Sequence, residues 1–242
     1  MHSAKKTIRV SLIIPIFNEE NRVHNLNTLW NYIKNKKYIK ELIVVNDGST
    51  DRTKNLLTAF QKRTKCRIIS YRKNRGKGYA IKKGILSARG THTVFMDVDL
   101  STPPNMLGLL KKVIRHTDII VGTRKNKKAI LLQRQSKIRE TMGTFFTFIS
   151  QKIVGVDVSD FTCGFKCFTK KAAKKIYAKQ RIDRWAFDAE SLFLAKKYGF
   201  SISEFPVEWR DVKGTKVRFP QDAIQSFIDL LQIRINDVFE KY

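Results

Sequence analysis

FMDVDLSTPP, residues 95–104, decides how this chain is read. It sets Asp97 and Asp99 two apart, directly after the apolar run 94–96 and before Pro103 and Pro104. Successive side chains of an extended backbone point to opposite faces, so residues i and i+2 share one. The two carboxylates therefore face the same way at the end of an otherwise apolar strand. Adjacent carboxylates repel, and burying either is costly unless a cation or a donor network compensates. Mg²⁺ takes one or two carboxylates together with phosphate oxygens, so a divalent cation on a nucleoside diphosphate is the natural compensator. The plainer alternative ends the strand at Asp97 and lets Asp99 cap the following turn. The neighbouring segments decide between the two.

Those segments alternate strands with helices. Residues 10–14 are an apolar, β-branched run closed by Pro15, and 42–45 and 67–71 are further strand candidates. Helical spacing covers 19–34, the stretch after the Thr50-Asp51 cap, 77–88 and the stretch after Pro103, with strands at 93–96 and 118–122. Continuous apolar strands between helices predict an α/β fold with a mainly parallel sheet sandwiched between helices. Such sheets bind ligands beyond the carboxyl ends of their strands. The residues just after each strand are therefore the informative ones.

They form a coherent set: Pro15-Ile16-Phe17-Asn18-Glu19, Asn46-Asp47-Gly48-Ser49, Asn74-Arg75-Gly76-Lys77-Gly78 and Asp97-Val98-Asp99. A basic, glycine-bearing loop opening a helix favours phosphate, and a carboxylate such as Asp47 can accept hydrogen bonds from a base or ribose. Singly, each has an ordinary explanation as a turn, a first-turn acid or a flexible loop. Their ordered spacing favours a site.

PIFNEE (15–20), VNDGSTD (45–51), NRGKGYA (74–80) and DVDLSTPP (97–104) together resemble family 2 glycosyltransferases of the GT-A fold. The resemblance is nearest the polyprenyl-phosphate sugar synthases. It continues through GTRK (122–125), DFTCGFK (160–166), WAFDAE (185–190) and VEWRDVKGTKV (207–217), and covers about residues 8–217. The last three motifs are more similar to the dolichyl-phosphate glucosyl branch than to the mannosyl one. One departure is Asn46 beside Asp47, where the family usually carries two acids.

The resemblance implies inverting transfer of a hexose, glucose from UDP-glucose in the first instance, onto a polyprenyl phosphate. It implies Mg²⁺ or Mn²⁺ held by Asp97 and Asp99. Pro15, Phe17, Glu19, Asp47, Gly76, Lys77 and Asp97 would bind the nucleotide sugar. Arg124, Arg134, Ser136, Arg139 and Lys216 would gather the acceptor phosphate. Asp99, Arg124, Asp188 and Glu190 would carry the chemistry, with Asp188 and Glu190 serving sugar hydroxyls or base work, or merely starting a helix. Other donors (GDP-mannose, UDP-GlcNAc) and a non-lipid acceptor stay open.

Composition fits a surface-acting enzyme. The 242 residues carry 48 Lys and Arg against 21 Asp and Glu, a net charge of +27. Such an excess points to a polyanionic partner, and an anionic membrane surface holding a polyprenyl phosphate supplies one. The expected location is therefore peripheral, on the cytoplasmic side of a membrane, with no spanning helix. Residues 1–219 are expected to form the transferase domain and 220–242 an amphipathic helix, packed on the domain or on the membrane. Its apolar stripe is Ile224, Phe227, Ile228, Leu231, Ile235, Val238 and Phe239, with Asp229, Gln232, Asp237 and Glu240 largely opposite. The apolar 142–156 stretch offers a second contact with core or membrane. Specific nucleic-acid binding lacks a helix-turn-helix, zinc-finger or RNP-like signature. A dinucleotide site at Gly76-x-Gly78 fails at its third small position, which is Ile81. Cys66, Cys163 and Cys167, an odd set, read as reduced thiols.

Overall fold

The computed structural model describes residues 7–212, 214 and 220–242. In chain order the elements are β1 (Val10–Ile16), α1 (Asn25–Ile33), β2 (Ile39–Asp47), α2 (Thr53–Arg63), β3 (Arg67–Tyr71) and α3 (Lys77–Leu86). There follow β4 (His92–Met96), α4 (Met106–Val113), β5 (Ile119–Thr123), β6 (Ile130–Gln133) and α5 (Lys137–Val154). The last are β7 (Phe165–Thr169), α6 (Lys170–Lys179), α7 (Phe187–Lys197), β8 (Ile202–Pro206), β9 (Glu208–Arg210) and α8 (Gln221–Val238).

Seven strands form one sheet in the order β3-β2-β1-β4-β7-β5-β8, and β6 pairs with β9 in a two-stranded ribbon. All neighbours in the large sheet are parallel except β7, which runs antiparallel to β4 and β5. The mainly parallel sheet expected from sequence is thus present. The inserted strand β7 comes from the DFTCGFK segment, whose chemistry masked its apolar Phe165, Cys167 and Phe168.

Strand alternation divides the core. Leu12, Ile14, Val44, Val94 and Met96 point to one side and meet Leu26, Leu29, Leu57, Leu107 and Leu110 of α1, α2 and α4. Ile13, Ile43, Val45 and Phe95 point to the other and meet Ile81, Ile85, Ile176, Phe187 and Leu192 of α3, α6 and α7. Both faces are covered, which is why these strands read as continuous apolar runs. The sandwich lines up the C-terminal ends of β1, β2 and β4 and sets their loops side by side.

The C-terminal helix contradicts the simplest expectation for its packing. α8 contacts α5 and α7, but through Asp222, Ser226, Leu230, Ile233 and Asn236, which are buried. Its apolar stripe faces outward: Ile224, Ile228, Val238 and Phe239 are 59%, 50%, 74% and 68% exposed. Asp229, Gln232 and Asp237, expected on the far side, are half-buried. Packing on the body by the apolar stripe is therefore ruled out. The contacts that bind α8 are Leu230 and Ile233 in the core, plus the ion pair of Asp237 with Lys197 of α7. Among the described residues, no helix is long and apolar enough to cross a membrane.

Candidate active site

The carboxylate pair sits where β4 runs out. Val98 and Leu100 turn inward, and Leu100 adopts a positive φ of 53°, so Asp97 and Asp99 end half-buried in the loop. Asp99 Oδ1 accepts the Ser101 amide at 2.9 Å. Burial, and then the charge of Asp97, push the Asp99 carboxyl above the usual carboxylate range. Asp97 Oδ1 takes the Lys77 ammonium at 2.6 Å. Its other oxygen lies against Gly164, where a Cβ would fall 2.0 Å from Oδ2. Only glycine fits between β7 and this carboxylate.

Lys77 opens α3, immediately after Gly76 with its φ of 114°. Burial opposes the charge of Lys77, but Asp97, Asp188 and Asp99 outweigh it and raise the ammonium pKa. Asp188 is buried and takes Lys166 Nζ at 2.7 Å. Lys166, wholly buried, also donates to the Phe161 and Cys163 carbonyls, each at 2.8 Å. Burial nevertheless leaves the Asp188 carboxyl raised, with Lys166 and then Lys77 opposing the rise. Asp188 therefore anchors Lys166, and its field also acts on Lys77.

Glu190, two residues on, does not reach the site. Its carboxylate accepts the Arg181 and Ile182 amides at 2.9 Å each and the Tyr242 hydroxyl at 2.7 Å. Glu190, expected to act on sugar hydroxyls or as a base, is wholly buried, with its donors at residues 181, 182 and 242. Asp47 is likewise committed. Its carboxylate accepts the Arg75 amide at 2.8 Å, the Gly76 amide at 2.9 Å and the Asn74 side chain at 2.8 Å. Two per cent exposed, it holds the 74–76 loop in place through these three hydrogen bonds. Gly48 makes this approach possible, since a Cβ there would lie 2.5 Å from the Lys73–Asn74 backbone. Pro15 and Phe17 lie half-buried where β1 ends, and Glu19 pairs with Arg22 at 2.9 Å.

On the far side of β4, β5 delivers Arg124. Its guanidinium is clamped by Asp160, Nε to Oδ2 at 2.7 Å and a terminal nitrogen to Oδ1 at 2.8 Å, with Thr162 Oγ1 at 2.9 Å. The Trp209 ring centroid lies 5.2 Å from Arg124 Cζ. Burial opposes its charge, but Asp160 overrides and pushes the guanidinium pKa above its ordinary value. The field of Asp97 also acts on Arg124, so the two charge centres lie within electrostatic range of each other. The next residue, Lys125, ties this turn to α5 through Gly143 O and Thr147 Oγ1. Arg134, Ser136 and Arg139 are exposed on the segment entering α5, Arg134 facing Glu140 at 3.9 Å. Arg134 and Arg139 are thus exposed surface cations, with Arg134 paired to Glu140. Lys216 lies outside the described residues.

Asp160, Lys166, Gly164 and Trp209 are the residues to which sequence reasoning assigned no role. The first three lie in DFTCGFK, and the signal was an acid, a glycine and a lysine inside an apolar strand approach.

The pattern of glycosyl transferase family 2 matches residues 11–177. The chain belongs to that family. This family 2 chain is 32% identical over 242 residues to a dolichyl-phosphate beta-glucosyltransferase of Dictyostelium discoideum, covering 94% of this chain and 74% of the relative. It is 30% identical to the dolichyl-phosphate beta-glucosyltransferase of Homo sapiens, covering 95% and 76%. Its fold is similar to glucosyl-3-phosphoglycerate synthase of Mycobacterium tuberculosis in complex with Mn²⁺, UDP and glucosyl-3-phosphoglycerate. That match has a TM-score of 0.69 at 17% identity and covers 93% of this chain and 79% of the other. The fold is the GT-A fold, and the family 2 chain is a glycosyltransferase.

Proposed function

We propose that the protein transfers glucose from UDP-glucose to a polyprenyl phosphate of the dolichyl type, with inversion at the anomeric carbon. The observation that carries this reading is the pairing of two opposite charge centres. The Asp97–Asp99 carboxylates, with Lys77 held on Asp97, lie within electrostatic range of the Asp160-clamped guanidinium of Arg124. The similarity to dolichyl-phosphate beta-glucosyltransferases supports the choice of donor and acceptor.

The chemistry asks little of a base. The acceptor phosphate is already an anion, so its oxygen attacks the anomeric carbon while the bond to the donor diphosphate breaks. The electron pair leaves with UDP. What the chain must do is bring two anions together and accept a third. Arg124, fixed as a planar fork on Trp209, receives the acceptor phosphate, and Arg134 and Arg139 draw it in. Lys77 and the first turn of α3 receive the donor diphosphate. Asp188 anchors Lys166, adds its field at Lys77 and removes no proton.

The donor set fits a divalent cation: two half-buried carboxylates come from one turn, and Asp97 already holds a cation, the Lys77 ammonium. Asp97 and Asp99 would hold Mg²⁺ or Mn²⁺. When bound, such an ion neutralises charge on the departing diphosphate. Structural neighbours of this fold carry Mn²⁺ or Mg²⁺ with UDP.

The enzyme works as a peripheral protein on an anionic membrane. Supporting this are the +27 charge, the outward apolar stripe of α8 and the exposed Ile138, Phe145 and Phe148 of the adjoining α5. The test incubates labelled UDP-glucose, UDP-GlcNAc and GDP-mannose separately with polyprenyl phosphate and Mn²⁺ or Mg²⁺. A chloroform-soluble, mild-acid-labile product from UDP-glucose is expected. Only water-soluble glycoside would sink the lipid acceptor, and product from another donor would replace glucose.

A further inference from the structure

The site already contains its own cation. Four carboxylates, Asp97, Asp99, Asp160 and Asp188, interact with three cations, Lys77, Arg124 and Lys166. Two of the cations are not available for exchange. Arg124 is locked in its two-pronged pair with Asp160, and Lys166 is wholly buried against Asp188 and two carbonyls. Lys77 differs: it is half-buried, at the tip of a loop, and its ammonium occupies Oδ1 of Asp97 at 2.6 Å. The second oxygen of Asp97 faces the Gly164 backbone, where a Cβ would lie 2.0 Å away. A metal ion arriving alone therefore competes with Lys77 for Asp97.

We propose that Lys77 is a resident counter-ion that excludes free divalent metal, and that the metal enters only with a nucleoside diphosphate, which draws the ammonium off Asp97 onto its own phosphate oxygens. The inference rests on the donor assignment above, but it concerns the order of binding and not the acceptor. Electrostatics supplies the reason. A free divalent ion replaces one positive charge by two and leaves the displaced ammonium stranded beside it, since the pocket also holds Arg124 and Lys166. A metal–diphosphate complex has nearly balanced charges and offers the ammonium new partners as it leaves. Lys77 is thus a positioning residue twice over: it keeps two mutually repelling carboxylates in place in the empty enzyme, and it meets the diphosphate in the loaded one.

The experiment follows Mn²⁺ binding by electron paramagnetic resonance and by thermal shift, with and without UDP, in wild type and in Lys77→Met and Lys77→Gln. In wild type, Mn²⁺ alone leaves the melting temperature unchanged and stays free in solution, whereas UDP makes it bind. In either variant, Mn²⁺ alone binds roughly tenfold or more tightly than in wild type, the size expected when a directly competing charge is removed. It also raises the variant's melting temperature, restoring the cation that the substitution took away. This readout distinguishes a lost counter-ion from a merely damaged fold, because a damaged site would not regain stability with metal. Equal Mn²⁺ affinity without UDP in wild type and both variants overturns the proposal and leaves the glucosyltransferase reading standing. Absence of Mn²⁺ binding in all three proteins, even with UDP, overturns both this proposal and the metal assignment.

Discussion

Arg124 and Asp160, 36 residues apart in the chain, form a two-pronged ion pair with contacts of 2.7 and 2.8 Å. Asp160 is wholly buried and the Arg124 side chain is 18% exposed, and a guanidinium held in this way presents a fixed face to phosphate. Asp160→Asn keeps the shape and removes the charge. Breaking such a pair costs about 3–5 kcal/mol of stability, because it leaves an uncompensated buried charge. Loss of orientation lowers kcat/KM for the polyprenyl phosphate about 100-fold, with a smaller effect on the KM for UDP-glucose. The pH dependence has a definite sign. Burial raises the Asp160 carboxyl, but Arg124 outweighs it and holds the group below the usual carboxylate range. Its stabilisation is complete above the unfolded value of about 3.9 and fades as pH falls through the lower folded value. Urea denaturation should show the gap between wild type and Asp160→Asn closing below about pH 4.

Gly164→Ala tests the wall behind the carboxylate. Its Cβ would fall 2.0 Å from Asp97 Oδ2, so Asp97 must rotate away from Lys77 and from the donor. Transfer should drop about 100-fold, as for other displacements near 1 Å. Retained circular dichroism would place the damage at the site, and wild-type turnover would show that Asp97 can move freely.

Asp97→Asn and Asp99→Asn separate charge from shape at the opening pair. Each should abolish measurable transfer, consistent with the few kcal/mol that fixed charges contribute at transition states, about 2.7–4 for one donor. Vesicle binding should persist, since neither residue touches α5 or α8. Wild-type turnover in either variant would remove the metal assignment.

The outward stripe of α8 predicts a separable membrane function. Ile224, Ile228 and Phe239 are at least half exposed, so replacing all three by Ser should leave the melting temperature nearly unchanged. A buried apolar side chain of this size is worth about 1.5–3 kcal/mol, so partition onto phosphatidylserine vesicles should fall about 100-fold or more. Turnover of a short, detergent-dispersed acceptor should be retained. Unchanged sedimentation with vesicles would assign the stripe elsewhere.

Glu190 and Tyr242 form the clasp that closes the C-terminus onto α7. Tyr242→Phe removes one hydrogen bond to a buried carboxylate, a loss of about 1.5–3 kcal/mol read by denaturant unfolding. Glu190→Gln should destabilise similarly while turnover stays within about threefold, since effects on folding need not reach chemistry. A collapse of turnover in a fully folded Glu190→Gln would restore its catalytic role.

Much of this was legible along the chain, and the reason is that it is local. Apolar runs such as 10–14 and 42–45 announced buried parallel strands, and the loops after them announced the site, because strand ends and helix starts are encoded within a few residues. The carboxylate at 97 and the lysine at 77, read from separate loops, meet in the fold, and the field of Asp97 acts on Arg124. Tertiary structure decided the rest. Strand β7 entered the sheet against its neighbours' direction because pairing is settled between distant segments. Asp47 turned inward because three donors of the 74–76 loop reached it first, leaving its carboxylate to build the loop. Glu190 was claimed by a tyrosine 52 residues away. For α8 the sequence set an apolar stripe but not its direction; the body supplied an apolar seat, and Leu230 with Ile233 filled it. A helix periodicity identifies a face, and only the surface it meets determines whether that face is buried.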